Sequence, residues 1–406
     1  MHAASAPNNY DFPLWLWYVQ EFLRGLVLIY PTYLIMMEQT GVSPLGLSVL
    51  LAIWAGTSFL FEVPSGVLGD LLPRRWLLIA AGVIHAAAFI VWWLWPTFWG
   101  FALGFTVWSF GSSLYSGTAE AYLFEVTRNA RNTATLEFAK VYGRSQAAAG
   151  AGIALALGCG GYVASFGYDL PLYLSMLTPA MASLAVFLMP NVDRPDTLTD
   201  AQHHPVSQFV SVMKQGSGTL FHTQILRQIA LTTATLLSLL WVFEEYVGVL
   251  FIEQGVDLTW VGIIYAGVWG MRTLGNLLAH RLSAMSLATT SALFGTICLL
   301  ALLISPLGVS LMAVALWLVY AMEGLCSVVL SSRLQSLVDD EHRATITSVM
   351  SMLGELSGLI YYLLIGIIAG LLHWTGTFYV ALTFAVGLSC LWCWRLSRST
   401  RIATVI

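Results

Sequence analysis

The feature that most constrains this chain is a series of long apolar runs separated by short polar breaks. Each run has the length, about 20 residues, that a helix needs to cross a bilayer. Inside lipid a helix satisfies its own backbone hydrogen bonds, which an open strand does not. We therefore predict an all-α membrane protein with twelve transmembrane helices, called spans 1 to 12 below. Their approximate limits are residues 14–37, 44–69, 76–95, 97–123, 142–166, 170–190, 225–252, 257–280, 284–304, 307–333, 345–371 and 374–395.

The composition excludes several classes of protein. Only 9% of the 406 residues are charged, whereas about a quarter are charged in an average soluble domain. The net charge of −4 provides no basic field for nucleic acid. The sequence has no phosphate-binding GxxxxGK[ST] loop and no HExxH or GxSxG motif. We therefore expect no enzyme, no catalytic residue, no cofactor and no nucleic-acid partner. All five cysteines lie inside apolar runs, which predicts packing roles and no metal site.

Lys and Arg residues mark one side of the membrane. They occupy alternate loops and the C-terminal tail, whereas the opposite loops contain none. Because positive charges are retained on the cytoplasmic side, we predict that both termini are cytoplasmic in a multi-pass protein of the inner membrane. Residues 1–13 contain no Lys or Arg and the first run is full-length, so we expect no cleavable signal peptide.

A single long polar stretch divides the chain into two halves. We predict an N-terminal six-helix bundle at 1–190, a cytoplasmic linker with a short interfacial helix at 191–224, and a C-terminal six-helix bundle at 225–406. The halves repeat a motif, because an Arg-x-Thr-x-Thr pattern begins at Arg131 before span 5 and at Arg343 before span 11. Parallel repeats of this kind are typical of transporters, with the binding site between the halves near mid-membrane.

The loop between spans 2 and 3 carries a second pattern. Gly66 is followed by Asp70, Pro73, Arg74 and Arg75. With twelve spans and a central linker, this segment resembles the signature of the major facilitator superfamily, with Pro73 in place of the usual glycine. The pattern is closest to small-molecule and drug exporters of that family. The resemblance implies alternating access, with this motif forming an inner gate.

Glycines in span 5 allow two interpretations. The segment from Gly152 to Gly161 has the spacing of a motif typical of the family's antiporters, although Ala156 and Leu157 replace its Gly-Pro pair. The alternative is a small-residue packing interface between helices. The span 4 arginine typical of proton antiporters is missing from this sequence. Pro31 inside span 1 is a candidate hinge.

Ten charges lie inside the spans, and each costs about 2.5–3.5 kcal/mol on insertion scales. All ten fall on the eight helices that surround the cavity in the family fold. They are Glu21, Arg24, Glu62, Glu120, Arg144, Glu244, Glu245, Arg272, Glu323 and Glu355. We predict Glu323 or Glu355 as a proton carrier with Arg272 as its modulator, and a static ion pair is the alternative.

The first half offers further candidates. Glu21 and Arg24 are three residues apart on one helix face, which indicates either a self-satisfying pair or a substrate contact. Glu62, Glu120 and Arg144 lie with Asp70 near the cytoplasmic end. We interpret these four as a gate network of salt bridges, and the alternative makes Glu62 or Glu120 a proton carrier.

Aromatic side chains inside the spans are candidates for a substrate-binding wall beside the carboxylates Glu244 and Glu245, and core packing is the alternative. The candidates are Tyr30, Tyr33, Trp241, Trp269, Trp317, Tyr320 and Tyr361. Such a wall suits an amphipathic or cationic molecule, whereas a sugar site would more often carry Asn, Gln and Asp.

These observations predict a secondary active transporter that exports an organic small molecule, such as a drug, siderophore or metabolite, in exchange for protons. The alternative is a proton-coupled importer or facilitator of a polar nutrient on the same fold. The expected partners are the substrate, protons and the lipid bilayer, and we expect a monomer.

Overall fold

The computed structural model describes residues 13–129, 138–189, 223–282, 285–338 and 340–403. The secondary structure of these residues is helical, without a strand. Eight stretches of the described helices are long and apolar enough to cross a membrane. The chain forms two compact units, one of residues 1–40 and 53–205 and the other of residues 41–52 and 206–406. The predicted linker helix and the first Arg-x-Thr-x-Thr motif lie outside the described residues.

Among the described residues, seven α-helices belong wholly or largely to the first unit. They are α1 Leu14–Gly25, α2 Tyr33–Gln39, α3 Pro44–Leu71, α4 Arg74–Leu94, α5 Phe98–Asn129, α6 Phe138–Ala164 and α7 Asp169–Phe187. Span 1 is therefore divided between α1 and α2, and the expectation of one continuous helix is wrong. Pro31, which has no N–H, lies in the intervening turn.

Hydroxyl groups of α7 satisfy the interrupted backbone of span 1. The Ser175 hydroxyl accepts a hydrogen bond from the Ile29 N–H at 3.1 Å, and the Thr178 hydroxyl donates to the Leu26 carbonyl at 2.8 Å. An unsatisfied backbone group in the hydrocarbon region costs several kcal/mol. These two bonds make the break tolerable within the membrane.

Glycines set the contact between α1 and α6. A Cβ on Gly25 would meet the Ala149 carbonyl, and a Cβ on Gly152 would meet the Phe22 carbonyl. Gly160 lies equally close to the turn that follows α1. The glycines of span 5 thus allow backbones to touch, as the packing interpretation of this segment predicts.

The second unit contains seven α-helices, a π-helix and a 3₁₀ turn among the described residues. They are α8 Gln224–Thr232, the π-helix Thr233–Leu237, α9 Ser238–Glu244, α10 Val247–Glu253, α11 Leu258–Leu282, α12 Leu287–Ile304, the 3₁₀ turn Ser305–Leu307, α13 Val309–Leu337 and α14 Asp340–Ala403. Span 7 is therefore irregular, because it runs through α8, the π-helix, α9 and α10.

The break in span 7 lies at Glu245 and Tyr246, between α9 and α10. The Tyr265 hydroxyl of α11 lies 3.0 Å from the Glu244 carbonyl and 2.8 Å from the Glu245 carbonyl, to which it donates. The same hydroxyl accepts from the Gly248 N–H at 3.3 Å. One buried side chain thereby supplies both the donor and the acceptor that the broken helix lacks.

Spans 11 and 12 form α14, which turns sharply at His373, a residue with a φ of 60°. Non-glycine residues rarely adopt this left-handed conformation. The Glu253 carboxylate accepts from the Trp374 N–H at 2.7 Å and from the Thr375 N–H at 3.0 Å. It therefore caps the helix that restarts after the turn.

The beginning of α3 groups with the second unit rather than the first. There the Ser48 hydroxyl lies 2.6 Å from the Tyr246 hydroxyl, at the break in span 7. The Tyr246 ring stacks on Trp374 with 5.1 Å between ring centroids. Tyr246, at the break in span 7, is thus buried against the start of α3 and against α14.

Candidate functional site

The second unit contains a buried cluster of one cation and two anions. The Arg272 Nε atom of α11 lies 2.7 Å from a carboxylate oxygen of Glu323 on α13, and its guanidinium also pairs with Glu244 at the end of α9. The side chain of Arg272 is 17% exposed, and each carboxylate side chain is 9% exposed. The sequence pattern predicted that Arg272 modulates a proton carrier at Glu323 or Glu355, whereas it assigned Glu244 to substrate binding.

With all three groups ionised, the Glu244–Arg272–Glu323 cluster carries one surplus negative charge. A buried charge without a partner is costly, and a site of this kind is stabilised by an added proton or cation. The Tyr320 ring lies 5.0 Å from the guanidinium carbon of Arg272, and the Tyr320 hydroxyl donates to the Leu240 carbonyl at 2.9 Å. The cluster is thus held by its neighbours but is not neutral by itself.

Close helix packing brings the cluster together. A Cβ on Gly324 of α13 would meet the carbonyl of Arg272, and a Cβ on Gly275 of α11 would meet the Ala321 carbonyl. Because the backbones of α11 and α13 touch at these glycines, the Arg272 and Glu323 side chains start from adjacent positions. The glycines therefore fix the ion-pair geometry as well as the helix contact.

The first unit contains a different ion pair. Arg24 lies 3.1 Å from Glu21, as expected for residues three apart on one helix face. The Tyr115 hydroxyl donates to Glu21 at 2.5 Å and accepts from the Gln20 amide at 3.0 Å. The Arg24 guanidinium carbon lies 4.3 Å from the centroid of the Tyr115 ring. The pair is thus satisfied within its own unit, by two residues that the sequence pattern did not indicate.

A cavity of about 280 Å³ opens beside this pair. Its walls come from α1, α5 and α6, and every lining residue belongs to the first unit. Among the lining residues are Trp17, Glu21, Arg24, Tyr115, Glu120 and Tyr142. The cavity therefore combines aromatic surface with both members of the ion pair and one further carboxylate.

The predicted gate motif is arranged differently from the expectation. Arg74 forms an ion pair with Glu125, which was not among the sequence candidates, and donates to the Ala121 carbonyl at 3.1 Å. Arg75 donates to carbonyls at the C-terminal end of α7, including Phe187. These bonds join the start of α4 to α5 and α7.

The other residues of the expected gate network do not join these bonds. Glu62, Glu120 and Arg144 are exposed and form no ion pair within the part of the chain that the structure describes. Gly66 lies on α3 with open space beside it. The side chain of Asp70 lies outside the described residues. Among the described residues, no salt bridge therefore joins Glu62, Glu120 and Arg144, and the predicted network that also includes Asp70 stays a prediction.

Two of the aromatic side chains predicted to bind the substrate are buried. Tyr33 is 7% exposed and Tyr320 is 0% exposed, so neither presents a surface to a ligand in this conformation. Tyr30 stacks on Trp108 with 5.4 Å between ring centroids. The Trp317 indole donates to the Ile264 carbonyl at 3.0 Å. These contacts correspond to the packing interpretation.

The remaining candidates lie in the second unit. The Tyr361 hydroxyl donates to the Thr235 carbonyl of the π-helix at 2.7 Å, and Trp269 is 38% exposed. Trp241, Glu245 and Glu355 are half-buried. The ion pairs of Arg272 among the described residues go to Glu244 and Glu323, so Glu355 is not part of the cluster.

One half-buried histidine was also missed. The His85 Nε2 atom of α4 lies 3.0 Å from the Ser112 hydroxyl of α5. Its signal in the sequence was a titratable residue in the middle of span 3, which otherwise carries no charge. Within the described residues, no group of three or more His, Cys, Asp or Glu side chains converges to hold a metal ion.

Apolar helices that keep a few buried ion pairs, arranged in two compact units, define a multi-pass membrane transport protein. The family model of the Major Facilitator Superfamily matches residues 22–361, and the chain belongs to this superfamily. Solved structures support the same fold. The nucleoside transporter NupG is 14% identical with a TM-score of 0.70, over 94% of this chain and 97% of that chain.

Two further structures resemble the chain over a similar extent. A bacterial homologue of the human lysosomal transporter Spinster, in an inward-facing and occupied conformation, is 12% identical with a TM-score of 0.71, over 96% of this chain and 95% of that one. A D-xylose–proton symporter is 13% identical with a TM-score of 0.67, over 94% and 96%. Comparison with curated protein sequences gives no match.

Proposed function

We propose that this protein is a secondary active transporter that exports an organic small molecule in exchange for protons. The observation that carries the proposal is the sharing of one guanidinium, that of Arg272, by the buried carboxylates of Glu244 and Glu323. One proton added to either carboxylate leaves a neutral cluster. The surplus negative charge of the Glu244–Arg272–Glu323 cluster therefore favours the binding of one proton.

The position of Glu244 links this site to helix movement. Glu244 is the last residue of α9, directly before the break in span 7. A change of angle at the break would alter the separation of Glu244 from Arg272 on α11. A carboxylate holds a proton more tightly when its arginine partner is withdrawn. Bending of span 7 would thus load or release a proton, as alternating access requires.

The scarcity of Asn, Gln and Asp inside the predicted spans favours an amphipathic organic substrate. Import of a polar nutrient remains the second candidate, because the folds of a nucleoside transporter and a D-xylose–proton symporter resemble this chain. Both candidates use the same proton site. They differ in the direction of transport relative to the proton gradient.

The test is transport by the purified protein in proteoliposomes. The substrate is the compound that most raises the melting temperature in a panel of cationic drugs, siderophores, sugars and amino acids. We expect Glu244→Gln and Glu323→Gln to lose accumulation driven by a pH gradient while retaining exchange of substrate without a gradient. Glu355→Gln is expected to retain both activities.

Asp257→Asn is the matched control, because Asp257 is an exposed carboxylate in the loop before α11. Unimpaired pH-driven accumulation in both Glu244→Gln and Glu323→Gln would contradict the proton site. Direction is measured in everted and right-side-out membrane vesicles. Uptake into everted vesicles with an acidic interior supports export, and its absence together with uptake into right-side-out vesicles supports import.

A further inference from the structure

The cavity of the first unit has the chemistry of a site for an organic cation. We propose that it binds the substrate of the transporter, and that this substrate carries a quaternary ammonium, pyridinium or similar cationic group held by Glu120. This inference rests on the proposed function and names the class of compound that is moved. The residues that line the cavity all belong to one unit.

The charge of the cavity favours a cationic ligand. Glu21 and Arg24 lie 3.1 Å apart and neutralise each other, and Tyr115 and Gln20 extend their hydrogen bonds. Glu120 remains as an exposed carboxylate on the cavity wall that forms no ion pair within the described segments. The wall therefore carries one uncompensated negative charge, which attracts a cation and repels an anion.

The serine hydroxyls of the cavity wall are already occupied. The Ser145 hydroxyl accepts from the Trp17 indole at 2.8 Å and donates to the Val141 carbonyl at 2.8 Å. The Ser116 hydroxyl donates to the Ser113 carbonyl at 3.2 Å. These two hydroxyls are therefore used within the protein and are not free for the bonds that a sugar or nucleoside would need.

Two half-buried tyrosine rings contribute to the cavity wall. Tyr115 and Tyr142 line it, and cations bind favourably to the faces of such rings. The Tyr115 ring already holds the Arg24 guanidinium at 4.3 Å in this way. A volume of about 280 Å³ is close to the lower limit for small-molecule sites. The site therefore suits a compact cation with one or two rings.

Isothermal titration of the full-length purified protein in detergent tests the proposal. The probes are 1-methyl-4-phenylpyridinium, its uncharged analogue 4-phenylpyridine in alkaline buffer, and 4-phenylbenzoate. We expect the cation to bind about tenfold more tightly than the uncharged analogue. Glu120→Gln should remove this difference without changing the affinity for 4-phenylpyridine, and Asp257→Asn should leave both affinities unchanged.

A second variant keeps the test decisive if Glu120→Gln is poorly folded. Ser116→Phe places a ring in the cavity and should abolish binding of both the cation and the uncharged analogue. Equal affinity for all three probes, or full cation affinity in Glu120→Gln or Ser116→Phe, would overturn the inference. Cation binding without proton-driven transport contradicts the proposed function alone, whereas proton-driven transport of a compound without positive charge contradicts this inference alone.

Discussion

At the scale of single residues, Arg272 determines the character of the second unit. Its guanidinium contacts Glu244, Glu323 and the ring of Tyr320, so that three helices meet at one side chain. Buried ion pairs add little net stability, but the loss of one partner leaves an uncompensated charge. The cost of a substitution therefore depends on which charge is left behind.

Arg272→Met should lower the free energy of unfolding by about 3 kcal/mol, because two carboxylates are then buried side by side. Adding Glu244→Gln and Glu323→Gln to the same protein should recover most of this loss, since no charge remains in the cluster. The measurement is the melting temperature of each purified variant in one detergent. A triple variant no more stable than Arg272→Met would show that the guanidinium stabilises the fold by packing instead of charge.

At the scale of elements, the first helix of each half is interrupted and its broken backbone is satisfied by a neighbouring helix. In span 1 the hydroxyls of Ser175 and Thr178 on α7 perform this role. In span 7 the hydroxyl of Tyr265 on α11 does so at the break between α9 and α10. Interrupted helices are the elements of a transporter that can bend without exposing backbone groups to lipid.

Tyr265→Phe should destabilise the protein by about 1–3 kcal/mol, because the Glu245 carbonyl and the Gly248 N–H lose their buried partner. Hydrogen exchange measured by mass spectrometry should also become faster at the start of α10. Tyr379→Phe on α14 is the matched control, since its hydroxyl forms no hydrogen bond among the described residues. Similar melting temperatures and exchange rates for the two variants would refute the role of Tyr265.

At the scale of the whole molecule, the distribution of Lys and Arg predicts which loops face the cytoplasm. The loop between α3 and α4 adjoins Arg74 and Arg75, whereas the loop between α10 and α11 contains no basic residue. Leu72 and Asp257 are exposed in these two loops. The charge distribution therefore predicts that these two residues lie on opposite sides of the membrane.

Cysteine labelling measures this orientation. In a variant without the five native cysteines, Asp257→Cys should react with a membrane-impermeant maleimide in intact spheroplasts. Leu72→Cys should react only after the membrane is opened. Labelling of Leu72→Cys in closed spheroplasts would reverse the predicted topology and, with it, the cytoplasmic position assigned to the gate motif.

Much of the fold was predictable because lipid imposes a simple rule on sequence. The family assignment followed from the apolar runs and the Gly66 to Arg75 motif, and the family match confirms it. Helical spacing placed Glu21 and Arg24 on one face, and an ion pair between them was one of the two predicted alternatives, the other being a substrate contact. The break in span 1 was anticipated only as a candidate hinge at Pro31, and the break in span 7 was not predicted. Span 7 contains no proline that would mark its break. Tyr265, whose hydroxyl satisfies the broken backbone, lies 20 residues from Glu245 on another helix.

The sequence by itself determined that this chain is a helical membrane protein of the major facilitator superfamily, and it supplied a short list of charges that lipid would otherwise exclude. The tertiary structure alone decided how those charges combine. It joined Arg272 to Glu244 as well as Glu323, left Glu120 without an ion-pair partner among the described residues, and buried Tyr33 and Tyr320. The physical reason is that hydropathy depends on each residue by itself, whereas pairing and burial depend on which helices touch.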